Sequence, residues 1–439
     1  MDIQLSAIIL AAGRGSRMKS DVPKVLHPVL GIPMIELVTQ QVRQCGADDL
    51  TLVLGHGAPL VEKALGDAPI RCAIQEPQRG TADAVLAGLL QQPPLHSDVL
   101  VVNGDLPDLD PKLLARFVAD HRSGGAAFSV ATAQVSDPVG MGRIVRNDEG
   151  AFQQIVEQQD ANPVIQQIDE VNLGLYMLQV ETILPILQQV VTEDLSTADA
   201  GFESYLTRVV EVLVQKDIAV AAVPVAADRQ FLQVNDRRGL ARASRVLQDR
   251  LQQQFLEAGV TIIDPLTTWI ELEVEIGTDT VIHPQTVIRR GVRVGRHCEI
   301  GPFAHLREGT VIENDVKVGN FVEINRSHLA NGVRAKHLAY LGDTQVERGA
   351  NIGAGAVVAN YDGTKKSPTV IGERAFIGSG SVIVAPGQIG ADSIVGAGAV
   401  VPPGKPVESG SIVVGVPARK LKRNINRPGE IREDERGIR

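Results

Sequence analysis

Aromatic side chains are scarce, only 3% of the 439 residues. Cysteines are scarcer: Cys45, Cys72 and Cys298 lie far apart, which excludes a disulfide framework and a four-ligand zinc site. Reduced thiols in a cytoplasmic protein are the expectation. No apolar run approaches the ~20 residues that cross a bilayer. The N-terminus, Met1-Asp2-Ile3-Gln4-Leu5-Ser6, lacks the basic-then-apolar order of a signal peptide. Positive charge is not in excess either. The net charge is −9, which argues against a non-specific grip on nucleic-acid phosphates. No membrane span and no nucleic-acid partner are therefore expected. What is present is a 44% apolar fraction and 43 glycines. That much apolar content excludes disorder for the bulk of the chain. The length suits two to four domains at roughly 100–200 residues each.

The C-terminal part is written in sixes. Ile276, Ile282, Ile288, Val294, Ile300, Leu306, Ile312, Val318 and Ile324 are evenly spaced, and Ile371, Ile377, Ile383, Ile389, Val395 and Val401 resume the count. Neither an α-helix nor a flat strand has this period. A coil of three short faces does, each hexapeptide making one face and a turn and stacking its aliphatic residue into a continuous core. The register breaks around residues 326–351 and again over 355–370, where Asn360-Tyr361-Asp362-Gly363-Thr364-Lys365-Lys366-Ser367-Pro368 forms a polar excursion. Loops thrown out of a regular scaffold concentrate function.

The N-terminal part reads as α/β. Apolar runs at 6–11, 50–54, 98–102, 126–132, 171–178 and 218–225 alternate with amphipathic stretches such as 34–45, 81–91 and 111–121. This pattern predicts a mostly parallel sheet with helices on both faces, and ligands then bind beyond the carboxyl ends of the strands. Leu240, Ala243, Leu247, Leu251 and Phe255 share one helical face and Gly259 ends it, so residues 231–260 read as a linker helix. The expected order is a nucleotide-handling domain over 1–230, this linker, a coil domain over 261–417, and a basic tail over 418–439.

The first strand runs into Leu10-Ala11-Ala12-Gly13-Arg14-Gly15-Ser16-Arg17-Met18. This is neither a P-loop nor a dinucleotide fingerprint. Its glycines still let backbone N–H groups approach phosphate, and Arg17 and Lys24 add charge. Asp105 ends the run Val99-Leu100-Val101-Val102-Asn103-Gly104. There it is placed either to hold Mg²⁺ or to cap a turn. Gln75 and Gly80-Thr81 form a polar stretch able to hydrogen-bond a nucleobase.

These stretches, with Pro23-Lys24-Val25-Leu26, Gly140-Met141-Gly142-Arg143-Ile144, Ile155-Val156-Glu157 and Asn172-Leu173-Gly174, resemble the sugar-nucleotide pyrophosphorylases. With the hexapeptide coil attached, residues 5–417 resemble the bifunctional N-acetylglucosamine-1-phosphate uridylyltransferases/glucosamine-1-phosphate N-acetyltransferases. The resemblance implies a Rossmann-like nucleotidyltransferase domain followed by a left-handed parallel β-helix, and a homotrimer. It implies UTP, sugar 1-phosphates and acetyl-CoA as substrates, with Mg²⁺. Leu10, Ala11, Ala12 and Gly13 would line the nucleotide site, with Arg17 and Lys24 on the triphosphate. Gln75, Gly80 and Thr81 would read uracil, and Asp105 with Asn235 would hold the metal. Gly140, Glu157, Asn172 and Asn235 would meet the acetylated sugar phosphate. In the β-helix His337 would be the acetyl-transfer base. Arg307, Asn325, Tyr340, Asn351 and Lys366 would contact the amino-sugar phosphate, and Ala354, Asn360, Tyr361, Ser379 and Ala397 would lie along acetyl-CoA.

Departures from the family pattern bear on these expectations. Asn325 stands where a lysine is usual, and Gly415 where an arginine is usual. Arg326 is not expected to compensate, because neighbours in a strand face opposite sides, whereas Arg419 or Lys420 could stand in near the CoA phosphates. In the N-terminal domain Gln159 replaces a lysine, Arg208 an aspartate and Met141 an aromatic. The alternative these departures raise is a uridylyltransferase whose β-helix is weakly active, serves another amino sugar, or only trimerises.

Overall fold

The computed structural model describes residues 4–66, 68–197, 203–225 and 233–421. The boundary expected at 230 and most of the tail expected over 418–439 lie outside them. The chain divides into two compact units, residues 1–245 and 246–439. Among the described residues no helix is long and apolar enough to cross a membrane.

In the first unit the apolar runs become β1 (Ser6–Leu10), β2 (Asp49–Leu54), β3 (Arg71–Ile74), β4 (Asp98–Asn103) and β5 (Phe128–Gln134). A hairpin follows, β6 (Arg143–Arg146) and β7 (Phe152–Val156), then β8 (Glu170–Gln179) and β9 (Val220–Pro224). The order is β9-β5-β8-β4-β1-β2-β3, with β6 on β8 and β7 on β6. β1 pairs in parallel with both β2 and β4, and β8 alone runs antiparallel between β4 and β5. Val99 to Val102 are fully buried, since a parallel sheet is covered on both faces and its strands read as unbroken apolar runs. Of the covering helices, α1 (Met34–Gln44) turns Ile35, Val38 and Val42 inward, α2 (Ala58–Leu65) turns Val61 inward, and α3 (Thr81–Gln91) turns Ala82, Val85 and Leu89 inward. α4 (Pro111–Gly124) starts where the Asp110 side chain accepts from the Lys112 N–H and proline occupies the first turn.

The second unit is a stack of coils with three sheets of short parallel strands, closed by the antiparallel strand Arg419–Lys420. Ile282 sits on Ile300 and Ile300 on Val318, so each aliphatic residue meets its like one coil on. The corners fall at Glu273, Asp279, Gln285, Gly291, His297, Phe303, Gly309, Asp315 and Phe321, all with left-handed φ. Non-glycine residues there cost roughly 1–2 kcal/mol. The backbone compensates, for the corner N–H groups of Asp279, His297 and Asp315 each donate to a carbonyl of the preceding coil.

The stack survives both register breaks. Two faces are one residue short, so Leu341 sits on Ile324 and Val346 on Leu329. The excursion is spliced into one coil, and Ile371 still sits on Val346. The helix at the junction, Arg237–Glu257, spans the division between the units. Leu251 and Phe255 pack on the β-helix core as the apolar face predicts. Two buried glutamines on the same helix, which that periodicity passes over, also bind the first coil. Gln248 Oε1 accepts from the Ile270 N–H at 3.1 Å, and Gln252 Nε2 donates to the Pro265 and Thr268 carbonyls at 3.0 and 2.8 Å.

Coil-on-coil contact is closest at Gly319, where a Cβ would lie 1.9 Å from the Lys336 carbonyl oxygen. Gly319→Ala should lower the thermal midpoint of the second unit by about 2–8 °C, the scale of a 1–3 kcal/mol overpacking cost. Fluorescence of Trp269, the single tryptophan, reports on this unit. Gly124→Ala, which meets nothing within 4 Å, should leave it unmoved. Equal shifts for the two would contradict the close-approach argument.

Candidate active sites

Register in the first unit levels Leu10 with Val53 and Asn103. The loops after β1, β3 and β4 therefore open on one side, at a cleft of about 940 Å³. Leu10 to Gly13, Arg17 and Lys24 enter it from the first loop, Gln75, Gly80 and Thr81 from the turn between β3 and α3, and Asp105 from the end of β4. Gly140, Glu157 and Asn172 line it from the β5–β8 side, and Asn235 from beyond β9. A Cβ on Gly13 would meet no protein atom within 4 Å. Its bare backbone is left for a ligand.

Cations and oxygens converge at the centre. The Lys24 ammonium contacts the buried Asp105 carboxylate and donates to Asn235 Oδ1 at 3.3 Å. Arg17 Nη2 donates to the same oxygen at 3.2 Å, and Gln233 Nε2 stands 3.3–3.4 Å from the Asp105 oxygens. One carboxylate and one amide oxygen thus already surround a cation, and both are the hard donors that suit a small divalent ion. On the β5–β8 side of the cleft, Thr207 Oγ1 donates to Glu157 Oε1 at 3.1 Å. Asn172 is held by the Gly174 N–H at 2.9 Å and donates to the Tyr176 hydroxyl at 2.8 Å. Burial pushes the Glu157 carboxyl and the Tyr176 phenol above their ordinary values. Between β3 and α3, Gln75 Nε2 donates to the Gly80 carbonyl at 2.9 Å and to Asp83 at 2.8 Å.

Thr207, Tyr176, Gln233 and Asp83 were not singled out by sequence reasoning. Thr207 is next to Arg208 and Gln233 two places before Asn235, both of them named from the sequence, whereas Asp83 carries no signal of its own. Two of the three departures in this unit find polar partners. Gln159 donates to the Tyr205 hydroxyl at 2.9 Å, and Arg208 pairs with the fully buried Asp194.

In the second unit three of the residues expected along acetyl-CoA, Ala354, Ser379 and Ala397, fall in one column. Ala335, Ile352, Ile377, Val395 and Val413 stack in register. The residues two places on are His337, Ala354, Ser379, Ala397 and Gly415, one per coil. His337 is exposed, and its Nδ1 lies 2.9 Å from Oδ1 of Asn320, the residue beneath it. Sequence reasoning missed Asn320, although it occupies the same coil position one turn earlier. Tyr340 is beside Glu323, Asn325 beside Gly342, and Asn351 beside Arg334. Arg307 is exposed and pairs with Glu323 at 2.9 Å. Lys366 and Tyr361 bridge the neck of the excursion.

Asn325 is buried, and the strand-alternation argument about its neighbour is corrected here. The strand ends at Asn325. Arg326 is a corner residue with φ 48°, so its side chain turns back and donates to Asn325 Oδ1 at 3.0 Å. The same guanidinium grips Asp343 with two bonds of 2.7 and 2.9 Å, and Asn360 adds a third at 2.5 Å. The Arg326 hydrogen bonds hold the Asp343 carboxyl below its ordinary value.

Residues 7–171 match the MobA-like NTP transferase domain, and 273–307, 291–326 and 368–403 match the bacterial transferase hexapeptide (six repeats). The bifunctional protein GlmU of Trichlorobacter lovleyi is 39% identical over 89% of this chain and 91% of its own. Those of Anaeromyxobacter dehalogenans and Geobacillus thermodenitrificans are 41% and 38% identical, over 87% and 88% of this chain and 85% and 90% of theirs.

A carboxyl lowered in the folded state contributes stability that is present above its unfolded value and lost as pH falls through the folded one. For Asp343 that loss lies below the ordinary carboxylate range. Arg326→Gln should move the acid-unfolding midpoint of the second unit to higher pH, followed by Trp269 fluorescence. An unchanged midpoint would show that the Arg326–Asp343 pair contributes nothing to acid resistance.

Proposed function

Because the chain belongs to the family of bifunctional GlmU proteins, we propose that the cleft of the first unit and the His337 column of the second divide that family's two reactions between them. The chain is a nucleotidyltransferase and an N-acetyltransferase that together make UDP-N-acetylglucosamine. Acetyl passes from acetyl-CoA to glucosamine 1-phosphate. Uridylyl then passes from UTP to the N-acetylated sugar phosphate, and pyrophosphate leaves.

The observation that carries the first assignment is the convergence of Arg17, Lys24, Asp105 and Asn235 beneath the bare backbone at Gly13. A phosphate oxygen of the sugar attacks the α-phosphorus of UTP. It is already a nucleophile, so no protein base is required, and positioning with charge neutralisation supplies the catalysis. Leu10, Ala11, Ala12 and Gly13 pack along the nucleotide, and Arg17 and Lys24 take the triphosphate charge. Gln75, Gly80 and Thr81 meet the base. Gly140, Glu157 and Asn172 orient the acetylated sugar. Asp105 and Asn235 would hold Mg²⁺, which when bound neutralises phosphate charge.

In the second unit the amine nitrogen bonds to the thioester carbonyl carbon, the CoA thiolate leaves, and His337 takes the amine proton. With Nδ1 committed to Asn320, Nε2 is the basic nitrogen. Arg307, Tyr340, Asn351 and Lys366 hold the sugar phosphate. Asn325 lends an amide where the family pattern has a cation. Ala354, Ser379 and Ala397 carry the cofactor along the column, with Asn360 and Tyr361 at its side. A homotrimer through the β-helix is supported by an exposed apolar column, in which Phe303 stacks on Phe321 at 5.0 Å and exposed Leu338 is the next corner.

His337→Ala should cut CoA release from glucosamine 1-phosphate and acetyl-CoA by about 10²–10⁴-fold. Pyrophosphate release from N-acetylglucosamine 1-phosphate and UTP should stay within about twofold and should vanish with a chelator. Loss of both activities in this variant would sink the division of labour. Burial holds the Glu157 carboxyl above its ordinary value, and it accepts from sugar hydroxyls more strongly when ionised than when protonated. KM for the sugar phosphate should therefore begin to rise, as pH falls, earlier than an unperturbed carboxylate would allow. Glu157→Gln should abolish that limb, and a limb that persists would assign it to another group.

A further inference from the structure

We infer that Asp83 is a positioning residue for nucleobase choice: it fixes the Gln75 amide so that its oxygen faces the cleft. The site then selects a pyrimidine with a proton on N3, uracil, over one with a lone pair there, cytosine. The inference rests on the reading that Gln75 meets the base.

Gln75 follows β3, is almost wholly buried, and lines the cleft. One end of its amide lies 2.9 Å from the Gly80 carbonyl and 2.8 Å from an Asp83 carboxylate oxygen. Neither group has a proton to give, so the end that faces them must be the NH₂ group. Its two hydrogens are then both spent. Turning the amide over would exchange two hydrogen bonds, one of them charge-assisted, for two oxygen–oxygen contacts. The partners are themselves fixed. Asp83 belongs to the first turn of α3. At Gly80 the φ is 108°, and a Cβ would come within 2.3 Å of the Ser204 carbonyl oxygen. The Gly80 carbonyl also accepts from the Ala84 N–H at 3.1 Å.

The remaining atom, Gln75 Oε1, accepts from no group among the described residues. It is an acceptor with no donor capacity behind it. Uracil offers N3–H to such an atom. Cytosine offers a lone pair, and two lone pairs then face each other with no proton between them. A free glutamine would serve either base by rotating its amide, and Asp83 removes that freedom.

The test is kcat/KM for UTP and for CTP, with N-acetylglucosamine 1-phosphate and pyrophosphate release as the readout. Asp83→Asn keeps shape and can offer NH₂, which releases the amide to turn. The UTP/CTP ratio should fall about tenfold or more, the scale of one charge-assisted hydrogen bond, with kcat/KM for CTP rising in absolute terms. Asp83→Ala removes one of the two acceptors and should lower the ratio by a smaller factor. A site that is merely damaged loses both substrates in parallel, and that result, or an unchanged ratio, overturns the inference. Gln75→Ala separates the two layers. If it collapses the ratio while Asp83→Asn does not, Gln75 reads the base without Asp83. If it too leaves the ratio unchanged, Gln75 does not read the base and both layers fall.

Discussion

Parallel pairing in register is the constraint on which both units depend. In a parallel ladder, residues at equal positions stand level, whatever their separation along the chain. In the first unit this levels the ends of β1, β2 and β4, and the loops after β1 and β4 carry Gly13, Lys24 and Asp105 into one cleft. In the second it converts a period in the sequence into columns in space. His337 and Ser379 are far apart in the chain, yet they occupy one corner because Ala335, Ile352 and Ile377 stack. Antiparallel hairpins would alternate the loops between two ends and could not gather them in this way.

Charges placed on such a frame need partners, because a buried or half-buried ion without one is costly. Asp105 meets Lys24 and Gln233, and Asp343 meets Arg326 and Asn360. The same requirement explains how the departures are absorbed. The partly exposed Arg208 supplies a counter-charge to the fully buried Asp194, and Gln159 has the Tyr205 hydroxyl. At Asn325 a positive side chain would face the Arg326 guanidinium, which already donates to the Asn325 amide oxygen. A neutral acceptor is the residue type that this neighbour favours.

Much of this is legible in the sequence, because periodicity and punctuation are properties of the chain itself. The sixes predict the coils, and unbroken apolar runs ending in Gly13 and Asp105 predict the parallel strands and their loops. Asn320, Asp83, Thr207, Gln248 and Gln252 are invisible for one physical reason. Each is a polar residue of ordinary type at an ordinary position, and its role exists only through a partner that register supplies. Asn320 was closest to reach, since the coil count that places Ala354 and Ser379 over His337 also places Asn320 beneath it. Arg326 shows the opposite failure. Strand alternation is a sound rule, but it stops where the strand stops, and the corner residue lies beyond it.

The two short faces carry the last step. In a six-residue face the left-handed corner comes three places after the buried aliphatic residue, as Gln285 follows Ile282. In the faces that begin at Ile324 and Leu341 it comes two places after, at Arg326 and Asp343. The two shortened faces fall at the same corner of successive coils, and each is absorbed at that corner: Leu329 still meets Ile312, Leu341 still meets Ile324 and Val346 still meets Leu329. They also bring Arg326 and Asp343 to equivalent corner positions, one above the other, where the two-bond guanidinium–carboxylate contact forms and Asn360 reaches it from the next coil. The break in the sixes is therefore a matched pair of deletions. It leaves the core undisturbed and sets a braced ionic step in the coils that also carry Asn325, Tyr340 and His337.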